Sequence, residues 1–427
     1  MEGGLQLGGE RPGRPLVGGV EAEHAGEQHH DPGAGRAADG LLDPLGAEAG
    51  LVLGPLQRVV APAGVPGGHR AAGSGAGRSS SGKGQGFNAT LLGGCRPLAA
   101  GTTRDPYPAP PHPNDARARP YDDGVGAAPR VAVIGAGAVG CFFAAQLAAG
   151  GRAEVTVCAR RPFGDLQVSS ELWGTTLRAA PLVQTDPAGL QAPFDAVLLA
   201  TKAHQTAGAA AWLAAATGPG TTVAVLQNGV EQVGRVRPWV PSSAVVLPAV
   251  VYCGVERTGP GRVTHRTHGW FHLPDGEAAR AVAGLFPPER ELVQPVADWP
   301  TTAWRKLCEN VTANGVTALT GRRMEVLRDP AVQELLRGLL AEATTVAASE
   351  GAVLPPDYAD RQIARVAAFP DGVGTSMLYD RLGGLPMEED AIYGAVVRAG
   401  ARHGVATPLN QALLTLLAAI SATAAGT

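Results

Sequence analysis

Lys306, Asn310 and Asn314 fall at i, i+4 and i+8 in the stretch Trp304–Asn314, so a helix would turn one amine and two carboxamides the same way. Leu307, Val311 and Val316 are the apolar neighbours that would seat such a helix on a core. A lysine beside two carboxamides suits a polar carbonyl compound: the amides grip it and the ammonium protonates it. In isolation, lysine and asparagine on one helical face are more often solvated surface. The context that shifts this balance lies upstream.

Gly135-Ala136-Gly137-Ala138-Val139-Gly140 follows the apolar run Val131–Ile134 and opens a helical pattern from Cys141 to Ala149. Strand, glycines and helix in this order form the setting in which G-x-G-x-x-G binds a dinucleotide. The first glycine permits the tight turn, the second lets a pyrophosphate approach the backbone, and the third lets helix and strand pack closely. Free N–H groups at the helix start then face the anion. The bare alternative is a glycine-rich turn without a ligand. The second strand runs Val155-Thr156-Val157-Cys158-Ala159-Arg160-Arg161, with no carboxylate where NAD-preferring sites carry one. Guanidinium groups at Arg160 and Arg161 suit a 2′-phosphate, which predicts NADPH, although two arginines on an exposed loop would read the same way. Lys202 and Asn228 follow two further apolar strands, Phe194 to Ala200 and Thr221 to Leu226. That places them at the carboxyl edge of a parallel sheet, where ligands bind, though each also fits ordinary loop polarity.

These groups need a scaffold, and the pattern predicts one. Strands alternating with helices imply a parallel α/β sheet. Ala244 to Glu256, Gly261 to Arg266 and Gly269 to Leu273 read as antiparallel strands closing that sheet. After Trp299 strand signals stop. Asp329-Pro330 caps a helix with apolar spacing from Val332 to Ala347 and a stop at Gly351. Asp390 to Arg402 and Leu409 to Ala424 read as two more helices. The expected fold class is therefore α/β: an N-terminal Rossmann-type dinucleotide-binding domain (130–297), then an all-helical C-terminal substrate and catalytic domain (298–424). Residues 1–129 differ in kind, with Gly and Pro making up roughly a third, a composition expected of a disordered N-terminal extension. An early-called start in a GC-rich gene, with Val125 as a GTG start, is an alternative account of that leader.

At 427 residues the chain exceeds one ordinary core, and its formal net charge of −3 without a basic run predicts no nucleic-acid partner. Five scattered cysteines (Cys95, Cys141, Cys158, Cys253, Cys308) lack a C-x-x-C pair and fit a reducing cytoplasm. No signal-peptide pattern opens the chain. Polar residues interrupt Leu409 to Ala424, so it reads as a buried terminal helix and predicts no membrane span. His265, His268 and His272 read as a solvated hairpin rather than a metal site.

Taken together the motifs resemble the ketopantoate reductase (2-dehydropantoate 2-reductase) family. Those that carry the resemblance are Gly135–Gly140, Ala200-Thr201-Lys202-Ala203-His204-Gln205, Leu226-Gln227-Asn228-Gly229, Trp304-Arg305-Lys306-Leu307 with Asn310 and Asn314, Thr375-Ser376-Met377-Leu378-Tyr379-Asp380, and Glu388-Glu389-Asp390-Ala391-Ile392-Tyr393-Gly394. They run in family order across 130–424. The resemblance implies NADPH-dependent reduction of the keto group of ketopantoate to (R)-pantoate, a step toward pantothenate and coenzyme A. It implies Lys306 as general acid or carbonyl polariser, Asn310 and Asn314 as substrate ligands, Ser376 at the substrate carboxylate and Glu388 at its hydroxyl. It also places Arg160 and Lys202 on the cofactor and Asn228 near the nicotinamide ribose. Hydride arrival builds negative charge on the ketone oxygen, so a cation that can also supply a proton fits there. Glu388 would then counter the charge of Lys306 or accept a substrate hydroxyl. Some members carry a further asparagine where this chain has Arg323-Met324, which leaves another small 2-oxo acid or ketone as an alternative substrate. A non-catalytic NADPH-binding regulator is the reading from another class. A homodimer through exposed faces of the terminal helices is a compatible assembly.

Overall fold

The computed structural model describes residues 127–191 and 193–425. The leader and the alternative start at Val125 lie outside the described residues, apart from 127–129. The chain then alternates: β1 (Arg130–Ile134), α1 (Ala138–Gly150), β2 (Glu154–Cys158), β3 (Leu166–Ser170), β4 (Thr175–Ala179), β5 (Leu182–Gln184), β6 (Ala196–Leu199), α2 (Ala210–Ala216), β7 (Thr222–Val225), α3 (Gln232–Val236) and β8 (Val245–Pro248). Six of these strands form one sheet in the order β5-β2-β1-β6-β7-β8, and every neighbouring pair is parallel. Val131 stands opposite Val155 on one side and Ala196 on the other. Strands β6 and β7 are buried along their whole length, because helices cover both faces; hence the unbroken apolar runs.

The segment after Ala244 departs from the expected closure of this sheet. Its start, β8, follows the helical crossover through α3 and therefore joins the sheet as a sixth parallel strand. Only the next stretch turns away. Strands β9 (Val250–Gly259) and β10 (Arg262–Pro274) form an antiparallel hairpin within a second sheet, ordered β11-β10-β3-β4 with β9 on β10. After β10 come α4 (Glu277–Gly284) and β11 (Val293–Val296). Strand β10 serves two neighbours in turn: Arg262–His265 pair with β3 and Phe271–Pro274 with β11. Register shifts lie between, where His268 takes φ 58° and Gly269 φ 140°.

That bend also overturns the solvated-hairpin reading for two of the three histidines, while His268 is exposed as expected. His265 and His272 are buried, since the bulged strand presses them onto α1 and β9. His265 packs 4.7 Å from the Phe142 ring and 4.5 Å from Trp173, with Nδ1 2.9 Å from Ser170 Oγ. Among the described residues no His/Cys/Asp/Glu group is arranged to hold a metal.

Helices make up the remainder: α5 (Trp299–Thr320), α6 (Pro330–Ser349), α7 (Tyr358–Ala367), α8 (Ser376–Leu382), α9 (Ala395–His403) and α10 (Pro408–Ala425). Asp298 accepts from Thr301 N at the start of α5, and Gly321 at φ 68° ends it. Asp329 accepts from Ala331 N and Val332 N at the start of α6, a cap worth about 0.5–2 kcal/mol. Leu307 and Val311 of α5 meet Leu336, Leu339 and Leu340 of α6 in a core of their own. Each such buried leucine contributes roughly 1.5–3 kcal/mol. A π-helical turn, Asp390–Gly394, precedes α9 where one continuous helix was expected. No described helix is long and apolar enough to cross a membrane.

Candidate active site

The glycine segment turns sharply between β1 and α1. Gly135 holds φ 109°, and a Cβ there would lie 2.9 Å from Thr201 N. A Cβ on Gly140 would come within 1.9 Å of the Gly135 carbonyl oxygen, so the third glycine is required by packing alone. Gly137 is different. The nearest atom to a Cβ there is 4.0 Å away, so protein packing leaves that face open. Gly137 is also the N-cap of α1 and provides no side-chain cap, leaving the N–H groups of the Ala136–Val139 turn available to an anion. Arg160 and Arg161 stand exposed just past β2. These features fit a dinucleotide at the carboxyl edge of the sheet.

Lys202 and Asn228 leave that same edge, after β6 and β7, and meet residues of the helical part. Lys202 Nζ donates to Asp380 Oδ2 at 2.7 Å and to Glu388 Oε2 at 3.5 Å. Glu388 Oε1 accepts from the backbone N–H of Ala203 at 3.0 Å, and Oε2 accepts from Asn228 Nδ2 at 2.9 Å. Asn310 Nδ2 in turn donates to Asn228 Oδ1 at 3.3 Å. Burial disfavours the charge of Glu388, but Lys202, the Ala203 N–H and the Asn228 amide outweigh it and hold the carboxyl below its ordinary range. Asp380 moves the opposite way: burial raises it, Lys202 only partly offsets that, and the charge of Glu388 adds to the rise. Burial opposes the Lys202 ammonium, yet its two carboxylates prevail and raise it. Two carboxyls sharing one cation are thus driven apart in acidity.

Lys306 lies elsewhere on the same helix, α5. Its Nζ sits 4.4 Å from the centre of the Tyr252 ring and 3.5 Å from Glu309 Oε2. Glu388 therefore counters Lys202, not Lys306. Asn314 is buried one turn past Asn310, beside Gly315, whose N–H donates to the Tyr393 hydroxyl at 2.7 Å. Ser376 opens α8 and is exposed, behind the N-cap Thr375, whose hydroxyl lies 2.7 Å from that of Thr317. Of the anticipated residues, the structure joins Lys202, Asn228, Asn310 and Glu388 in one hydrogen-bonded chain. Lys306, Asn314 and Ser376 are outside that chain. Asp380, Glu309 and Tyr252 received no role from the sequence. Spacing offered a signal for two of them: Asp380 follows Ser376 by one helical turn, and Glu309 follows Lys306 at i+3. Tyr252 gave none, because β9 meets α5 only through the fold.

A family model described as ketopantoate reductase PanE/ApbA matches residues 131–278, and one for the C-terminal part of the same family matches residues 298–421. A 2-dehydropantoate 2-reductase of Caulobacter vibrioides is 41% identical over 289 residues, covering 67% of this chain and 97% of the relative. Among solved structures, a dimeric ketopantoate reductase from Staphylococcus aureus aligns with a TM-score of 0.61 at 25% identity, covering 69% of this chain and 99% of that one. A PanE/ApbA family ketopantoate reductase from Ralstonia eutropha aligns with a TM-score of 0.63 at 30% identity, again covering 69% and 99%.

Proposed function

This chain belongs to the ketopantoate reductase PanE/ApbA family of oxidoreductases, and from that premise we propose that it reduces the 2-keto group of 2-dehydropantoate to (R)-pantoate with NADPH, a step toward pantothenate and coenzyme A. The observation that carries the reading is the chain Lys202–Glu388–Asn228–Asn310, which unites the cofactor edge of the sheet with the polar face of α5. The residues fit the cofactor: an open Gly137 face for the pyrophosphate and exposed Arg160 for a 2′-phosphate. Bound NADPH would supply the hydride. The protein's share is to hold the keto acid and its developing charge. In this reading residues 130–297 bind the cofactor and 298–424 form the substrate and catalytic part.

Asn310 and Asn314 hold the substrate from α5, Ser376 binds its carboxylate from the start of α8, and Glu388 accepts its hydroxyl. Lys202 and Asn228 line the side facing the cofactor. Lys306 reaches the ketone oxygen on its flexible four-carbon stem, stabilises the oxyanion and gives up a proton to it. A homodimer is proposed by likeness to the Staphylococcus aureus enzyme. The test is NADPH oxidation with ketopantoate and a panel of other 2-oxo acids. Ketopantoate should turn over best, and Lys306→Ala should lower kcat by about 10²–10⁴-fold. Turnover of only another acid would reassign the substrate, and a Lys306→Ala rate within a few-fold of wild type would reject the role of the lysine.

A further inference from the structure

Asn228 and Glu388 stand 160 residues apart, and their 2.9 Å hydrogen bond exists because the loop after β7 meets the π-helical turn. At that junction Gly229, at φ 100°, lies so close that a Cβ there would sit 2.6 Å from the Ala391 carbonyl oxygen. A guanidinium spans the same two segments. Arg398 of α9 forks onto Glu231, with Nε donating to Oε1 at 3.1 Å and Nη2 to Oε2 at 2.6 Å. It also donates through Nη1 to Asp390 Oδ1 at 2.6 Å and through Nη2 to the Asp390 backbone carbonyl at 3.0 Å. Glu231 lies three residues past Asn228, and Asp390 two past Glu388. Gly394 keeps room for the group: a Cβ there would lie 2.6 Å from Asp390 Oδ1 and 2.9 Å from Arg398 Nη1. Arg402, one turn further along α9, reaches Glu231 only at 3.9 Å and is committed to Glu350 at 2.9 Å. An ordinary surface ion pair needs neither a planar fork nor a helix position kept free of a side chain.

We propose that Arg398 is a positioning residue for the site: by joining Glu231 to the backbone of the π-turn it holds Asn228 against Glu388, and so fixes the carboxylate that the sheet edge binds through the Ala203 N–H. Its share in the reaction rests on the reading that Asn228 and Glu388 serve the cofactor and the substrate. Arg398 acts through these two side chains. Lysine is a poor substitute, because an ammonium is a compact point charge where this position needs a planar fork toward Glu231 together with donors to Asp390.

The experiment compares the full chain as wild type, Arg398→Ala, Arg398→Lys, Asn228→Ala and the double variant Asn228→Ala/Arg398→Ala. The readouts are steady-state kinetics with ketopantoate and NADPH, thermal melting, and hydrogen exchange at the Ala203 amide. Arg398 is exposed and ion pairs of this kind add little stability, so Arg398→Ala should melt close to wild type. The Ala203 N–H, which donates to Glu388, should exchange about fivefold faster or more, while amides of β6 keep their wild-type rates. In the same variant kcat/KM should fall roughly tenfold, and Arg398→Lys should recover little of it. In the Asn228→Ala background the arginine substitution should cost less than about twofold, because the contact it serves is already gone. Equal losses in both backgrounds, or an Ala203 amide that keeps its wild-type exchange, overturns the proposal. Faster Ala203 exchange with unchanged kcat/KM separates the two ideas: the clamp stands, and the functional reading of Asn228 and Glu388 has failed.

Discussion

Two lysines of the candidate site are held in different ways, and the difference matters residue by residue. Lys202 answers two carboxylates, whereas Lys306 rests between one carboxylate and an aromatic face. Glu388 is the most committed of the acids, with three donors on its two oxygens. Glu388→Gln should lower stability at neutral pH by about 1–3 kcal/mol, the cost of loosening a buried, charge-assisted network. The pH dependence follows from its lowered folded-state pKa. The stabilisation is complete above the ordinary value of about 4.5 and is lost as pH falls through the lower folded value. Melts of wild type and Glu388→Gln should therefore converge as pH falls below the ordinary carboxylate range. A gap that stays constant down to pH 2 would refute the charge-based account. Much of this cluster was invisible in the sequence, because Lys202 and Asp380 stand 178 residues apart and nothing local pairs them. Lys306 and Asn310 were legible because a single helix fixes their spacing.

At the level of elements, the turn between β1 and α1 separates glycines that serve packing from the one whose face packing leaves open. Gly140→Ala would drive a methyl into the Gly135 carbonyl and should cost roughly 1–3 kcal/mol or abolish folding. Gly137→Ala meets nothing closer than 4.0 Å, so its melting temperature should match wild type while NADPH binding weakens at least tenfold. Equal cofactor affinity in a folded Gly137→Ala protein would place the pyrophosphate elsewhere. Strands β1, β2, β6 and β7 were readable because burial on both faces demands continuous apolar residues. Strands β3, β4 and β5 were not, because they are only partly buried and mix polar with apolar residues, so that no continuous apolar run marks them. The π-turn at Asp390–Gly394 was equally hidden. Its residues have helical character, and only the contact of Gly229 with the Ala391 carbonyl, 2.6 Å from where a Cβ would lie, shows how tightly that turn meets the loop bearing Asn228.

Over the whole described molecule, one apolar core lies on each face of the parallel sheet and a third fills the helical part. A small cluster of Val250, Tyr252 and Ala303 joins β9 to α5. Glu231, in the loop after β7, is also clamped by Arg398 of α9 at 2.6 Å. Lys202 leaves the sheet edge and pairs with Asp380 and Glu388 of the helical part, so the cofactor contact proposed for it would compete with both acids. On that proposed reading, cofactor and keto acid are thermodynamically linked. By whatever factor one alters the affinity for the other, the second must alter the first by the same factor. Titration of NADPH with and without saturating pantoate should give a ratio of dissociation constants well away from one, about 5-fold or more, and Lys202→Met should bring it toward one. A wild-type ratio of one would mean that this lysine transmits nothing. Otherwise a single side chain makes the occupancy of each ligand a gauge of the other.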